Sequence, residues 1–514
     1  MSETTTPDGA GAVWIMRGLG LAVAGLTYAL LGAAEGLSPD GRVVAAMGVL
    51  MAVWWMTEAL PLSATALLPI VLIPAFTERT VAEATAAYGN TIVFLFLGGF
   101  LIAIAMEKWN LHRRIALLTL SRVGVQPRQI ILGMMLATGF LSMWVSNTAT
   151  VLMMLPIGLS VLTLVIDRTT TQSPDEIDTE GSIADMVRDP QVRAFGVCLM
   201  LAIAWSASIG GLGTLLGSPP NAIVAGYAAD ELGRPIGFLE WMMLGTPLAL
   251  AFILIAWWLM TRVLYRFDLP EIPGGRAMIN EQIADLGPMS QGERMVLYVF
   301  LGAAFLWVVP GLLSTIPAIG AAMPWLDALD DTAIAIGAGI AMFLLPGKGR
   351  GQMVLTWQDA EKGLPWGVLL LFGGGLSLAS AVGASGLDGW IGTQVEGLGT
   401  LPTLLLVAAV VTMILFLTEV TSNTATAATF IPILGGVALG IGADAMTLLI
   451  PAALAATCAF MLPVGTPPNA IVFGTGKVTI AQMARGGLVL NLVGILLITA
   501  ICYLLGGLAM GLQF

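Results

Sequence analysis

VSNTAT at 145–150 returns as TSNTAT at 421–426, and LLGSPPNAIV at 215–224 returns as LPVGTPPNAIVFG at 462–474. A weaker echo pairs IVFLFLGGFLIAIA (92–105) with GVLLLFGGGLSLAS (367–380). The order is the same in both halves: a Gly-rich segment, a Ser-Asn-Thr, then a Pro-Pro-Asn. Asn147 and Asn221 are 74 residues apart, whereas Asn423 and Asn469 are 46 apart. The difference of 28 is about the length of a polar stretch at 167–193, so the two halves are one unit copied, with an insertion in the first.

The copies are embedded in apolar sequence. Of 514 residues 57% are hydrophobic and 10% charged, and the mean hydropathy is +0.91, which places the chain in a membrane. Crossing the hydrocarbon takes about 20 apolar residues. On that basis spans are expected near 13–34, 42–59, 60–76, 89–118, 194–227, 240–264, 294–315, 331–346, 365–392, 447–475 and 486–511. Two further apolar stretches, about 129–166 and 401–440, each carry a Ser-Asn-Thr near the middle and are expected to be re-entrant hairpins. The expected fold is therefore an all-α integral membrane protein of eleven transmembrane helices plus two re-entrant hairpins.

The polar start Met1–Gly11 lacks the basic residues and cleavage site of a secretory signal, so the first apolar run should remain as a span. Cys198, Cys458 and Cys502 lie in apolar segments without metal-ligand spacing and read as packing residues. The net charge of −11 concentrates in loops, chiefly Asp167–Asp189, where seven acids face two arginines. A solvated loop explains it, and no nucleic-acid partner is expected.

Lys and Arg mark cytoplasmic loops. With the N-terminus inside, only Arg42, Arg79 and Arg234 of the 21 basic residues fall outside, and the outer segments 316–330 and 393–446 contain none. Counting either hairpin as a single crossing would reverse the later loops and spoil this asymmetry. The C-terminus then lies outside, in an inner (plasma) membrane. The domains are read as a tail and first helix (1–41), a first repeat (42–264), a cytoplasmic linker (265–293) and a second repeat (294–514). Five spans per repeat, an odd number, turn the second copy upside down. Inverted repeats with interrupted helices are the signature of secondary transporters, whose site lies where the repeats meet.

A Ser-Asn-Thr turn in hydrocarbon is tolerable only when buried in protein or lining a wet cavity. At such a tip, helix N-termini each carry about half a positive charge, and hydroxyl and amide groups supply donors and acceptors. Consecutive prolines at 219–220 and 467–468 interrupt a helix and free carbonyls such as those of Gly217 and Gly465. Oxygen-only ligands suit hard cations. A single polar tripeptide in a membrane helix is most simply a packing contact; two copies, each followed by the same helix break, are not. The Gly-Gly runs at 98–99 and 373–375 read as close-packing positions. His112, beside Trp109, Arg113 and Arg114, reads as interfacial, Glu58 as a helix-end residue, and Glu419 as support for the second hairpin.

WWMTEALPLSATALLPIVL (54–72), the two Ser-Asn-Thr motifs and the two Pro-Pro-Asn breaks together resemble the divalent anion/sodium symporters, carriers of dicarboxylates, citrate or sulfate. The resemblance covers essentially the whole membrane region. It implies a homodimer in which a scaffold domain holds the dimer and a transport domain, formed by the hairpins with 194–227 and 447–475, moves like an elevator. It implies one sodium at Ser142, Ser146, Asn147 and Gly217 and another at Thr418, Thr421, Asn423 and Gly465. Substrate carboxylates would meet Ser146, Asn147, Thr148 and Ser218 on one side and Ser422, Asn423, Thr424, Thr466 and Pro467 on the other. No Lys or Arg falls in the four motif segments, so bound cations would supply the positive charge.

The expected function is import of C4-dicarboxylate-like anions (succinate, malate or fumarate) by sodium symport, with sodium as cotransported ligand and no cofactor. A sodium-independent exchanger on the same fold, or citrate or sulfate as substrate, are the alternatives. An anion channel fits poorly with inverted hairpins. An enzyme is not expected, since the sequence holds no catalytic triad, metal cluster or nucleotide loop.

Overall fold

The computed structural model describes residues 7–124, 126–169, 189–269, 275–314, 316–323, 326, 329–349 and 351–514. Most of the expected acidic stretch at 167–193, from 170 to 188, lies outside the described residues. The described chain is helical apart from one small antiparallel ribbon, Pro346–Lys348 with Gln352–Met353. Nine helices among the described residues are long and apolar enough to cross a bilayer. Seven coincide with expected spans; the other two, Asn147–Ile166 and Asn423–Gly440, are the second arms of the expected hairpins.

The helices run α1 Pro7–Leu30, α2 Pro39–Thr57, α3 Leu62–Thr65, α4 Leu68–Phe76, α5 Val81–Ala86, α6 Thr91–Lys108, α7 Leu111–Val123, α8 Pro127–Ser142 and α9 Asn147–Thr169. Then follow α10 Pro190–Gly210, α11 Pro219–Asp230, α12 Phe238–Leu259, α13 Gly275–Asp285, α14 Gln291–Ser314, α15 Pro317–Ala322 and α16 Asp331–Leu344. The chain closes with α17 Trp357–Gly363, α18 Trp366–Ala384, α19 Leu387–Gln394, α20 Thr403–Thr418, α21 Asn423–Gly440, α22 Ala445–Ala456, α23 Pro467–Gly474 and α24 Ile480–Met510.

Four expected spans, 42–59, 60–76, 331–346 and 447–475, are not among the nine. The run at 60–76 divides into α3 and α4 because Pro69 sits in the first turn of α4, where a proline begins a helix. The run at 89–118 also divides: Asn110 takes a left-handed φ of 56°, ending α6 and starting the separate α7. The same conformation at Gly386 (φ 71°) separates α18 from α19 within the expected 365–392. Within 447–475, α22 has 12 residues, about 18 Å at 1.5 Å per residue and short of the bilayer.

At the centre stands α10, nearly every residue of it buried, packed by α8, α9, α12 and α23. By contrast α1 rests on α2 and exposes Trp14, Ile15 and Leu21, as a helix bathed in lipid would. The Gly-Gly positions do serve close packing: a Cβ on Gly98 would strike the Ala335 backbone of α16, and one on Gly374 the Ala66 carbonyl. His112 corrects the interfacial reading, since it is buried at 7% exposure with Nδ1 2.7 Å from the Met106 carbonyl oxygen. Glu58 is exposed at the C-cap of α2.

One ion pair fastens α7 to α14. Arg114 Nε donates to Glu293, and its Nη2 donates to Glu293 Oε2 at 3.2 Å and to the Gly287 carbonyl at 3.0 Å. Both side chains are nearly buried, so removing one leaves an uncompensated charge, at a cost of about 3–5 kcal/mol. Arg114→Ala is expected to lower the thermal unfolding midpoint in detergent clearly below that of the unaltered protein. An unchanged midpoint would remove this pair from the stabilising contacts.

Candidate functional site

Each Ser-Asn-Thr stands at a helix restart. In the first copy α8 stops at Ser142 and α9 begins at Asn147, with Ser146 Oγ accepting from Ala149 N at 3.2 Å as an N-cap. In the second, α20 stops at Thr418 and α21 begins at Asn423 with Ser422 at the N-cap. The Pro-Pro-Asn segments refine the sequence reading. The prolines do not break a helix from within: they open a new one, at N1 and N2 of α11 and α23, where a missing N–H costs nothing. Ser218 and Thr466 are the extended N-caps. The preceding helices end earlier, at Gly210 and Ala456, leaving 211–218 and 457–466 largely unwound.

Asn221 and Asn469 hold these stretches in shape. From inside the first turn of its helix, Asn221 Nδ2 reaches back to the carbonyls of Gly211 (2.9 Å) and Thr214 (2.8 Å). Asn469 Nδ2 does the same to Ala459 (3.1 Å) and Leu462 (3.0 Å). Both side chains are fully buried. Their repetition in the two Pro-Pro-Asn segments was a readable sign, yet the sequence alone gave them no task.

With the loops so held, oxygens converge beside each Ser-Asn-Thr. One end of the Asn147 carboxamide lies 2.5 Å from Ser142 Oγ and 3.2 Å from each of the Ala207 and Gly217 carbonyl oxygens. Ser142 Oγ also faces the Ala207 carbonyl, at 2.7 Å. The second copy repeats the group: one end of the Asn423 carboxamide lies 2.8 Å from Thr418 Oγ1, 3.1 Å from the Ala456 carbonyl and 3.3 Å from that of Gly465. Thr418 Oγ1 faces the Ala456 carbonyl at 3.0 Å. A hydroxyl has one hydrogen, so it cannot serve both oxygens it faces. Either the amide NH2 occupies the shared end and donates, or its carbonyl does and four oxygens meet with one hydrogen among them. A hard cation reconciles the second arrangement, and the donor set fits one.

The two cages adjoin through Ser218, which follows Gly217 and whose hydroxyl is 3.0 Å from Thr457 Oγ1; Asn423 Nδ2 in turn lies 3.5 Å from the Thr457 carbonyl. Of the residues expected at the site, Ser142, Asn147, Gly217, Thr418, Asn423 and Gly465 gather in the cages. Ser146 and Pro467 are exposed, Thr148 and Ser422 half-buried, and Ser218, Thr424 and Thr466 buried. The Thr421 hydroxyl is engaged with the Leu417 carbonyl (2.9 Å) and Thr426 Oγ1 (2.6 Å). The Ala207 and Ala456 carbonyls, and Thr457, were not anticipated; alanine gives no sequence sign that its carbonyl faces a site. Among the described residues no group of His, Cys, Asp and Glu is built to hold a metal, so the cages rest on neutral oxygens.

Glu419, read from the sequence as support for the second hairpin, holds the unwound 457–466 stretch instead. It is buried at 3% exposure, and its carboxylate accepts from Phe460 N (2.7 Å), Met461 N (3.0 Å), Leu462 N (3.1 Å) and Asn491 Nδ2 (2.7 Å).

Residues 13–510 match the family described as the sodium:sulfate symporter transmembrane region. The chain belongs to that family. It is 41% identical over 473 residues to the sodium-dependent dicarboxylate transporter SdcS of Staphylococcus saprophyticus, covering 92% of this chain and 87% of that one. It is 42% identical over 478 residues to SdcS of Staphylococcus aureus (strain bovine RF122 / ET3-1), covering 92% and 88%. In fold this symporter-family member resembles the YdaH transporter of Alcanivorax borkumensis (TM-score 0.57, 15% identity, 91% of this chain and 100% of that one). It also resembles MtrF of Neisseria gonorrhoeae (TM-score 0.54, 11% identity, 94% and 96%). The family is one of transporters, not enzymes.

Proposed function

We propose that the chain imports C4-dicarboxylate-like divalent anions across the plasma membrane by sodium symport. The observation that carries this reading is the pair of oxygen cages, each built round an asparagine amide at a hairpin tip. The relatives named sodium-dependent dicarboxylate transporters support the choice of both ligands.

Without cations the amide NH2 turns into each cage and donates to its oxygens, so the amide carbonyl faces away. Sodium reverses the amide: the carbonyl oxygen turns to the cation and the NH2 turns outward as a donor. A dicarboxylate then binds between the tips, where the restarts of α9 and α21 add partial positive charge. Ser146, Thr148, Ser422, Thr424 and Thr466 offer hydroxyls, with Ser218 and Pro467 beside them. Sodium thus binds first and prepares the anion site. The hairpins with α10, α11, α22 and α23 travel as a transport domain, and the first spans of each repeat hold a homodimeric scaffold. The N-terminus is cytoplasmic and the C-terminus outside.

In proteoliposomes, an inward sodium gradient is expected to drive concentrative succinate uptake that collapses when choline or potassium replaces sodium. Unchanged uptake in choline would end the coupling claim. Counterflow that needs internal substrate but no ion gradient would select the exchanger, and preference for citrate or sulfate would move the substrate.

A further inference from the structure

The two Pro-Pro-Asn helices share a sequence but not a surrounding. NAIVAG (221–226) in α11 and NAIVFG (469–474) in α23 each end on a glycine five residues after the asparagine. Gly226 is buried, and a Cβ on it would lie 2.9 Å from Leu376 Cδ1 of α18 and 3.1 Å from Ile92 Cγ2 of α6. Gly474 is exposed, and among the described residues a Cβ on it would meet nothing within 4 Å. The contrast runs along the whole face. Leu216, just before Gly217, is 8% exposed and lies against Gly99 of α6, whereas Val464, just before Gly465, is 74% exposed. Ala222 is fully buried, and its counterpart Ala470 is exposed. The residues two places before each Ser-Asn-Thr differ in the same sense. Trp144 packs on Phe300 and Trp307 of α14, with ring centroids 5.1 and 6.3 Å apart, while Val420 is 58% exposed.

Close approach to α6 and α18 explains a glycine at 226. Nothing in the described conformation asks for one at 474, where a helix takes most other residues at lower cost. The seat of α11 is itself built from both repeats: Ile92 and Gly99 lie in 92–105 of α6, and Leu376 lies in 367–380 of α18, the segments that echo each other. A seat made of both copies of one segment can receive either copy of the helix that fits it, since inverted repeats exchange roles about a shared site.

We infer that α23 docks against α6 and α18 in a second conformation, with Gly474 at the contact, so that α11 and α23 take the seat in turn. In the described conformation α11 is seated and α23 is free. This rests on symport by a moving transport domain, as proposed above, and adds the surface on which that domain alternates. Gly226 and Gly474 are positioning residues: neither belongs to a cage, and each sets how closely one helix approaches α6 and α18 in one of the two conformations.

The full-length protein is to be compared with Gly474→Leu and Gly226→Leu. A leucine at 474 has room in the described conformation, so the thermal unfolding midpoint should hold and the sodium-dependent succinate affinity in detergent should stay within about twofold. Succinate uptake into proteoliposomes should fall about tenfold or more, because the added side chain overfills the contact α23 has yet to make. A cysteine in place of Ala470 reports the open face, since Cys198, Cys458 and Cys502 are all buried. In nanodiscs Ala470→Cys is expected to react with a water-soluble maleimide, and adding Gly226→Leu should unseat α11 and slow that reaction about tenfold. Gly226→Ala, with a smaller slowing, serves if the leucine variant does not fold. Normal uptake by Gly474→Leu, an unreactive Ala470→Cys, or a labelling rate that the Gly226 variants leave unchanged overturns the inference. So does a loss of succinate binding in Gly474→Leu as large as its loss of uptake, which would place Gly474 in the binding site. Absence of sodium-driven uptake by the unaltered protein would instead overturn the symport reading on which the inference rests.

Discussion

Asn423→Asp and Asn147→Asp are each expected to cut dicarboxylate affinity by about a hundredfold or more while leaving sodium binding intact. The carboxylate keeps an oxygen in the cage, next to Thr418 Oγ1 or Ser142 Oγ, so the cation still finds its ligands. What is lost is the NH2 end, and what is added is a negative charge that neutralises the bound sodium. At about 5 Å and an effective dielectric near 20, a unit charge repels each carboxylate of the substrate by about 3 kcal/mol. Asn→Ala, by contrast, removes a cage oxygen and should weaken both ligands together. Sodium-induced thermal stabilisation and succinate uptake, measured on the same preparations, separate the two outcomes. Near-normal uptake in both aspartate variants would count decisively against these amides as the link between cation and anion.

Much of this site was legible because its main elements are repeated. A Ser-Asn-Thr and a Pro-Pro-Asn written twice in one order pointed to Asn147, Gly217, Asn423 and Gly465, and the resemblance to the symporter family implied Ser142 and Thr418 beside them. The helix count was less legible, because hydropathy does not see backbone angles. Asn110 and Gly386 end helices by left-handed φ inside runs that stay apolar or amphipathic, so 89–118 and 365–392 each read as one element and fold as two. Carbonyl ligands were the least legible. Ala207 and Ala456 contribute through the last turn of α10 and α22, and only the three-dimensional end of a helix shows which carbonyl is left without an N–H. Glu419 was visible as an acid in apolar sequence, but its five hydrogen bonds depend on a loop 41 to 43 residues away and on Asn491, 72 residues away.

Asn221→Ala is expected to be the more damaging of the two Pro-Pro-Asn substitutions, with Asn469→Ala milder although the residues do the same task. Each truncation strips the donor from two buried carbonyls, at about 1–3 kcal/mol per unsatisfied group, so either should cost roughly 2–6 kcal/mol if nothing else held the loop. In the first repeat little else does: the loop is tied by single neutral bonds from Trp241, Thr246 and Thr214. In the second, Glu419 grips three consecutive N–H groups, at Phe460, Met461 and Leu462, and is itself anchored by Asn491 Nδ2. Loss of Asn221 therefore frees the Gly217 carbonyl to drift from Asn147, and the first cage opens. Loss of Asn469 leaves Gly465 still framed by Glu419. Thermal unfolding midpoints and sodium half-saturation for the two variants give the comparison. Equal damage would mean that Glu419 adds nothing to the loop's rigidity.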